Sequence, residues 1–210
     1  MGQIKPVTYK AATFGNLRGL KGISDQQLEQ HFELYGGYVR NTNTLNEQIA
    51  ELMGQDKGAS PACAELTRRL GFEYNGMILH EYYFGNLTPS SPGRPSSDSE
   101  LNRAIEQGFG DFDTWLADFR RIGAMRGVGW AILYADPANG RLSNHWVTLH
   151  QEGHPAGFKP LLIMDVWEHA YMVDYKATER AKGIEAFVAN IDWKAVEARV
   201  TEPQALRPAG

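Results

Sequence analysis

Apolar residues recur at helical spacing through "ISDQQLEQHFELYGGYVRNTNTLNEQIAELMG", where Ser24 or Asp25 can serve as N-cap, and the pattern predicts a long helix from about 25 to about 53. The same period returns in "SPACAELTRRLGFEYNGMILHEYYFGNL". Ser60 and Pro61 suit a cap and a first helical residue, and Leu66, Leu70, Met77 and Phe84 share one face. This second helix should pack antiparallel to the first. The proline- and serine-rich stretch "TPSSPGRPSSD" at 88–98 has no such period and reads as a linker. It separates a helical-hairpin domain, 1–89, from a second domain, 97–210, with 90–96 as the connection.

Two helical patterns follow at roughly 98–108 and 111–124. "GWAILYADPANGRLSNHWVTLH" then reads as two strands around a turn carrying Pro137, Asn139 and Gly140, and "KPLLIMD" as a third strand. Two closing helices are expected at about 168–181 and 193–200. The fold class is therefore α+β: an N-terminal antiparallel helical hairpin, then a C-terminal domain with a three-stranded antiparallel sheet flanked by helices.

Composition adds mostly exclusions. No run of about 18 uncharged apolar residues predicts a membrane span, and "MGQIKPVTYK" lacks the apolar core of a signal peptide. A net charge of -4 gives no basic footprint for nucleic acid. The single cysteine, Cys63, excludes an intrachain disulfide and fits a cytoplasmic location.

The chemistry lies in six histidines and one carboxylate. His31 and His80 fall in the middle of the two long helices, where facing side chains can meet, and Asp165 and His169 lie four residues apart at a strand end. A lone helical histidine is more often core than ligand. Together, three imidazoles and a carboxylate form a mixed N/O set suited to iron, manganese or zinc rather than magnesium or calcium. A metal hydrolase remains open on the ligands alone.

"DVWEHAY", from Asp165 to Tyr171, resembles the signature of the iron/manganese superoxide dismutases. So do "YVRNTN", "NGMILHEYYF", "FGDFDTW", "GVGWAILYA" and "IDWKAVEARV", in the family's order along the chain. The resemblance implies His31, His80, Asp165 and His169 as ligands of one iron or manganese ion per subunit, with a solvent molecule as fifth ligand. It implies dismutation of superoxide to dioxygen and hydrogen peroxide as the metal cycles between +3 and +2. His150, or Gln151 if the hairpin shifts by one, would hold that solvent. Tyr38 would be the gate and proton relay, and Trp130 and Trp167 part of an aromatic wall, with Phe84 where tryptophan is common. Gly76 excludes the family's alternative, a glutamine four residues before His80. With a histidine at 150, this leans the metal toward iron. Arg180 would help attract the anion.

The chain departs from the family pattern at two places. Tyr38 follows His31 by seven residues rather than eight, which at about 100° per residue still leaves both within roughly 20° of one face. A gap-free alignment would make Gln30 the ligand instead, a poorer donor than imidazole. Second, the histidine and tyrosine that bridge the family's subunits correspond here to Tyr35 (or Leu34) and Met172. Glu168 is kept, and by resemblance bonds to His169 of a partner subunit. A homodimer, or a tetramer, is implied. The alternative is a metal-binding homologue with little dismutase activity, serving a structural or interaction role.

Overall fold

The computed structural model describes residues 4–15 and 17–201. Helix α1 spans Asp25–Gly54 and α2 spans Pro61–Phe84, each opened by a serine whose side chain accepts a backbone N–H, Ser24 from Gln27 and Ser60 from Cys63. These caps satisfy amides that the first turn leaves free. The two helices pack along each other as a hairpin, so a side chain on one can meet a side chain on the other.

The segment between α2 and the next helix is fastened rather than loose. Thr88 N–H donates to the Asn190 carbonyl, Ser91 hydroxyl to that of Ile191, and Ser96 N–H to the Glu197 carboxylate. Helices α3 (Glu100–Phe109) and α4 (Phe112–Gly123) then lead into strands β1 (Gly129–Ala135), β2 (Leu142–Thr148) and β3 (Lys159–Asp165). The sheet is antiparallel in the order β2-β1-β3, which puts Trp130 beside both Val147 and Asp165. Helices α5 (Arg180–Val188) and α6 (Trp193–Thr201) close the chain. One apolar cluster runs from Leu28 and Phe84 through Trp115 and Ile132 to Trp193. Among the described residues no helix is long and apolar enough to cross a membrane.

One expected helix does not form. The stretch read as 168–181 is a single 3-10 turn at Glu168–Ala170, irregular turns, a second 3-10 turn at Ala177–Glu179, and only then α5. The cause is Gln27. An α-helix here would join the Val173 N–H to the His169 carbonyl, but the buried Gln27 amide takes both: its Nε2 donates to His169 O at 2.6 Å and its Oε1 accepts from Val173 N at 3.0 Å. Asp165 adds to the break by accepting the Trp167 N–H at 2.9 Å, an Asx-type turn that ends β3.

Candidate metal centre

Four side chains from four elements converge. His31 comes from the second turn of α1 rather than its middle, His80 from near the C-terminal end of α2, Asp165 from the last residue of β3, and His169 from the 3-10 turn after it. One ligand atom from each lies within 4.8 Å of all the others. Asp165 Oδ2 is 2.9 Å from His169 Nε2, 3.2 Å from His31 Nε2 and 3.6 Å from His80 Nε2. Donors held about 2.1 Å from a common ion stand about 3.0 Å apart at right angles and about 3.6 Å apart at 120°. The spacing fits one ion. Gln30 is not part of the group; it lies on the surface beside Leu34 and Glu168.

Hydrogen bonding fixes which nitrogen His80 offers. Its Nδ1 is 2.5 Å from the Gly76 carbonyl, which can only accept, so Nδ1 carries the proton and Nε2 a lone pair. That Nε2 is buried without a hydrogen-bond partner. An orphaned buried acceptor aimed at a carboxylate and two imidazoles calls for a cation. Burial lowers the pKa of His31 and His80, keeping both rings neutral as ligands must be. Burial alone would raise Asp165, but His169 and then His31 outweigh it and hold the carboxylate ionised. A mixed N/O donor set with one negative charge fits iron or manganese.

Aromatic rings and histidine pack around the four donors. His150, fully buried at the turn after β2, accepts from Trp130 Nε1–H at its Nδ1, 3.1 Å away. Indole only donates, so the His150 proton sits on Nε2 and is given to the Tyr38 hydroxyl oxygen at 2.7 Å. The turn that delivers His150 forces Leu149 to φ 53. It is held by Trp167 Nε1–H on the Leu149 carbonyl at 3.3 Å and by His154 Nε2–H on the His150 carbonyl at 2.9 Å. Gln151, one residue on, is exposed. Trp167 stacks between His150 and His169, with centroids 4.9 and 5.6 Å away, and Phe84 lies 4.9 Å from His31.

Gly76 has a steric role as well. A Cβ there would sit 2.5 Å from the Tyr38 ring, so glycine lets the tyrosine lie against α2 and reach His150.

The residues expected at a subunit contact divide. Glu168 and Met172 are exposed, and with Leu34, Gln30, His169 and Val173 they line a surface depression of about 390 Å³. Among the described residues the Glu168 carboxylate makes no hydrogen bond or ion pair. Tyr35 points inward: it is 2% exposed and donates to Glu81 at 2.6 Å, so Leu34 is the member of that stretch at the surface. Arg180 is committed to the carbonyls of Met125 and Gly127 at 2.6 and 2.7 Å. The sequence reading missed Gln27 and His154, whose partners are 142 residues and four residues away; neither has a local pattern that would give it away.

A family model for iron/manganese superoxide dismutases, C-terminal domain, matches residues 97–199. The chain is 38% identical over 187 residues to the iron superoxide dismutase of Aquifex pyrophilus, covering 87% of this chain and 86% of that one. It is 34% identical over 177 residues to a manganese superoxide dismutase of Haloarcula marismortui, covering 83% and 84%. With the manganese/iron enzyme of Propionibacterium freudenreichii it shares 34% identity over 186 residues, covering 86% and 89%.

Proposed function

The chain belongs to the iron/manganese superoxide dismutase family, and from that premise we propose how its own residues convert superoxide to dioxygen and hydrogen peroxide. The observation that carries the reading is the convergence of His31, His80, Asp165 and His169 around an unpartnered buried His80 Nε2. These four would hold one iron or manganese ion per subunit, and the bound ion supplies the one-electron redox chemistry. The lean toward iron rests on His150 in place of a glutamine before His80; the iron enzyme of Aquifex pyrophilus is consistent with it.

The remaining residues handle protons and access. Trp130 fixes the His150 tautomer, and the imidazole presents its Nε2–H to Tyr38 beside the donor cluster. The Tyr38 hydroxyl thus accepts from His150 and keeps its own proton to give. Burial, then the Asp165 and Glu73 charges, raise its pKa and keep it a phenol. Trp130, Trp167 and Phe84 exclude water from the ligand side, strengthening the field of Asp165 within it. Gln151, exposed, supports no part of this, and His150 takes the role at the reacting centre.

A homodimer through the face of Leu34, Glu168 and Met172 follows from the same reading. It is supported by the exposed carboxylate of Glu168 next to a ligand whose side chain is 24% exposed. Buried Cys63 as the single cysteine supports a cytoplasmic location. The test is elemental analysis of protein purified from its own host, paired with a superoxide-consumption assay. About one iron or manganese per chain with consumption well above free metal is expected. Metal retained without such consumption would instead favour a structural role for the site.

A further inference from the structure

Dismutation needs a small anion to reach a site three of whose four ligands are almost wholly enclosed, in a chain with net charge -4. Such a chain repels its substrate at long range unless the approach is locally positive. Arg180, the cation expected to do this, donates to two loop carbonyls, which fix its position and leave its charge in place.

A different arginine stands at the outer end of the residues leading inward. Arg69 on α2 stacks its guanidinium carbon 4.0 Å over the Phe72 ring. Phe72 in turn lies 4.5 Å from the His150 ring and 6.2 Å from that of Tyr38, and Tyr38 is 5.1 Å from the ligand His80. Exposure falls along this series, from Arg69 on the surface through half-buried Phe72 and Tyr38 to enclosed His150 and His80. These contacts connect an exposed guanidinium to the donor cluster.

Arg69 is held there by Glu73, one turn further along α2. Its Nε donates to Glu73 Oε1 at 2.7 Å and a second guanidinium nitrogen is 2.5 Å from the same oxygen, while Asn41 on α1 donates to Oε2 at 3.2 Å. The two charges do not cancel for an approaching ion. The Glu73 side chain is 3% exposed and that of Arg69 55%, so the pair presents its positive end outward.

We propose that Arg69, fixed by Glu73 and stacked on Phe72, is the residue that attracts the anionic substrate to the metal centre. The proposal rests on the dismutase reading. Arg69→Gln removes the outward charge and leaves Glu73 negative; Glu73→Gln does the opposite.

The experiment uses the metal-loaded protein and two readouts. One is kcat/KM for superoxide against ionic strength. The other is the dissociation constant of azide, a small monovalent anion, followed spectroscopically at the metal. At low salt, Arg69→Gln should lower kcat/KM and weaken azide binding by about three- to tenfold, with kcat little changed and the difference fading as salt rises. Glu73→Gln should shift both the other way. Arg69→Lys, which keeps the charge, should recover most of the loss. Equal salt dependence in wild type and Arg69→Gln, with unchanged azide affinity, overturns the proposal. So does a loss that is independent of salt or that Arg69→Lys fails to recover. Should wild type bind azide yet consume no superoxide, the dismutase reading fails while the azide series still decides on Arg69.

Discussion

The two pairs of ligands reach the same point by different physics. His31 and His80 sit inside regular helices whose caps, period and antiparallel packing are local or nearly so. Helical geometry alone keeps each histidine on the inner face. Asp165 and His169 sit where regular structure stops, at the end of β3 and in a turn that would be helix if its backbone were free. There the Gln27 amide, from α1, holds the chain open. A helix thus supplies one ligand and also dictates the backbone that presents another. The two halves of the donor cluster are thus coupled by a side chain that is not one of its donors.

The comparison can be broken most severely at its centre. Asp165→Ala removes the only carboxylate of the cluster, and metal retention after dialysis against a chelator should fall to background, with dismutase activity lost alongside it. Retention near wild type would mean that the cluster is not the metal site.

Gln27→Leu separates the two pairs. It frees the His169 carbonyl and the Val173 N–H to bond to each other, so the fold should survive with a more helical 168–173 segment. Metal affinity should fall about ten- to a hundredfold, as is typical when a group orienting a ligand is lost. Unchanged metal affinity in a folded Gln27→Leu protein would show that the turn holds its shape without the amide.

Gly76→Ala perturbs the helical pair instead. The added methyl must displace the Tyr38 ring, for a cost of about 1–3 kcal/mol in unfolding and a loss of activity as Tyr38 withdraws from His150, with metal content preserved. Chemical denaturation, metal analysis and the superoxide assay together read this out, and full activity would rule out the Tyr38–His150 contact as a functional one.

The smallest effect is on pH. Burial lowers His31, His80 and His150 in the folded state, His150 to about 4, so the unfolded chain binds more protons once pH drops below about 6.5. Metal-free protein should therefore be less stable at pH 5 than at pH 7.5, and the His150→Gln variant should show a shallower decline. Equal midpoints at the two pH values would contradict the neutral, buried state of these rings.

Much of the fold was legible because its signals are short-range. Ser24, Ser60 and Pro61 marked the helix starts, alternation and turn residues marked the strands, and β3 ends at Asp165 as its apolar run does. The ligands were legible through "DVWEHAY" and the histidine positions, although spacing could not show that they meet. The failed helix at 168–181 marks the limit: its own residues favour a helix, and the competing partner lies more than 140 residues away. The same holds for His150 being enclosed while Gln151 is exposed, and for Tyr35 turning inward.

Most of the elements, the candidate donors and the family were legible in the chain itself, since periodicity, capping and motif are properties of neighbouring residues. Tertiary structure alone decided which lone pair His80 offers and which direction the His169 turn takes. Each depends on a hydrogen bond or an exposure that exists only once distant segments have packed.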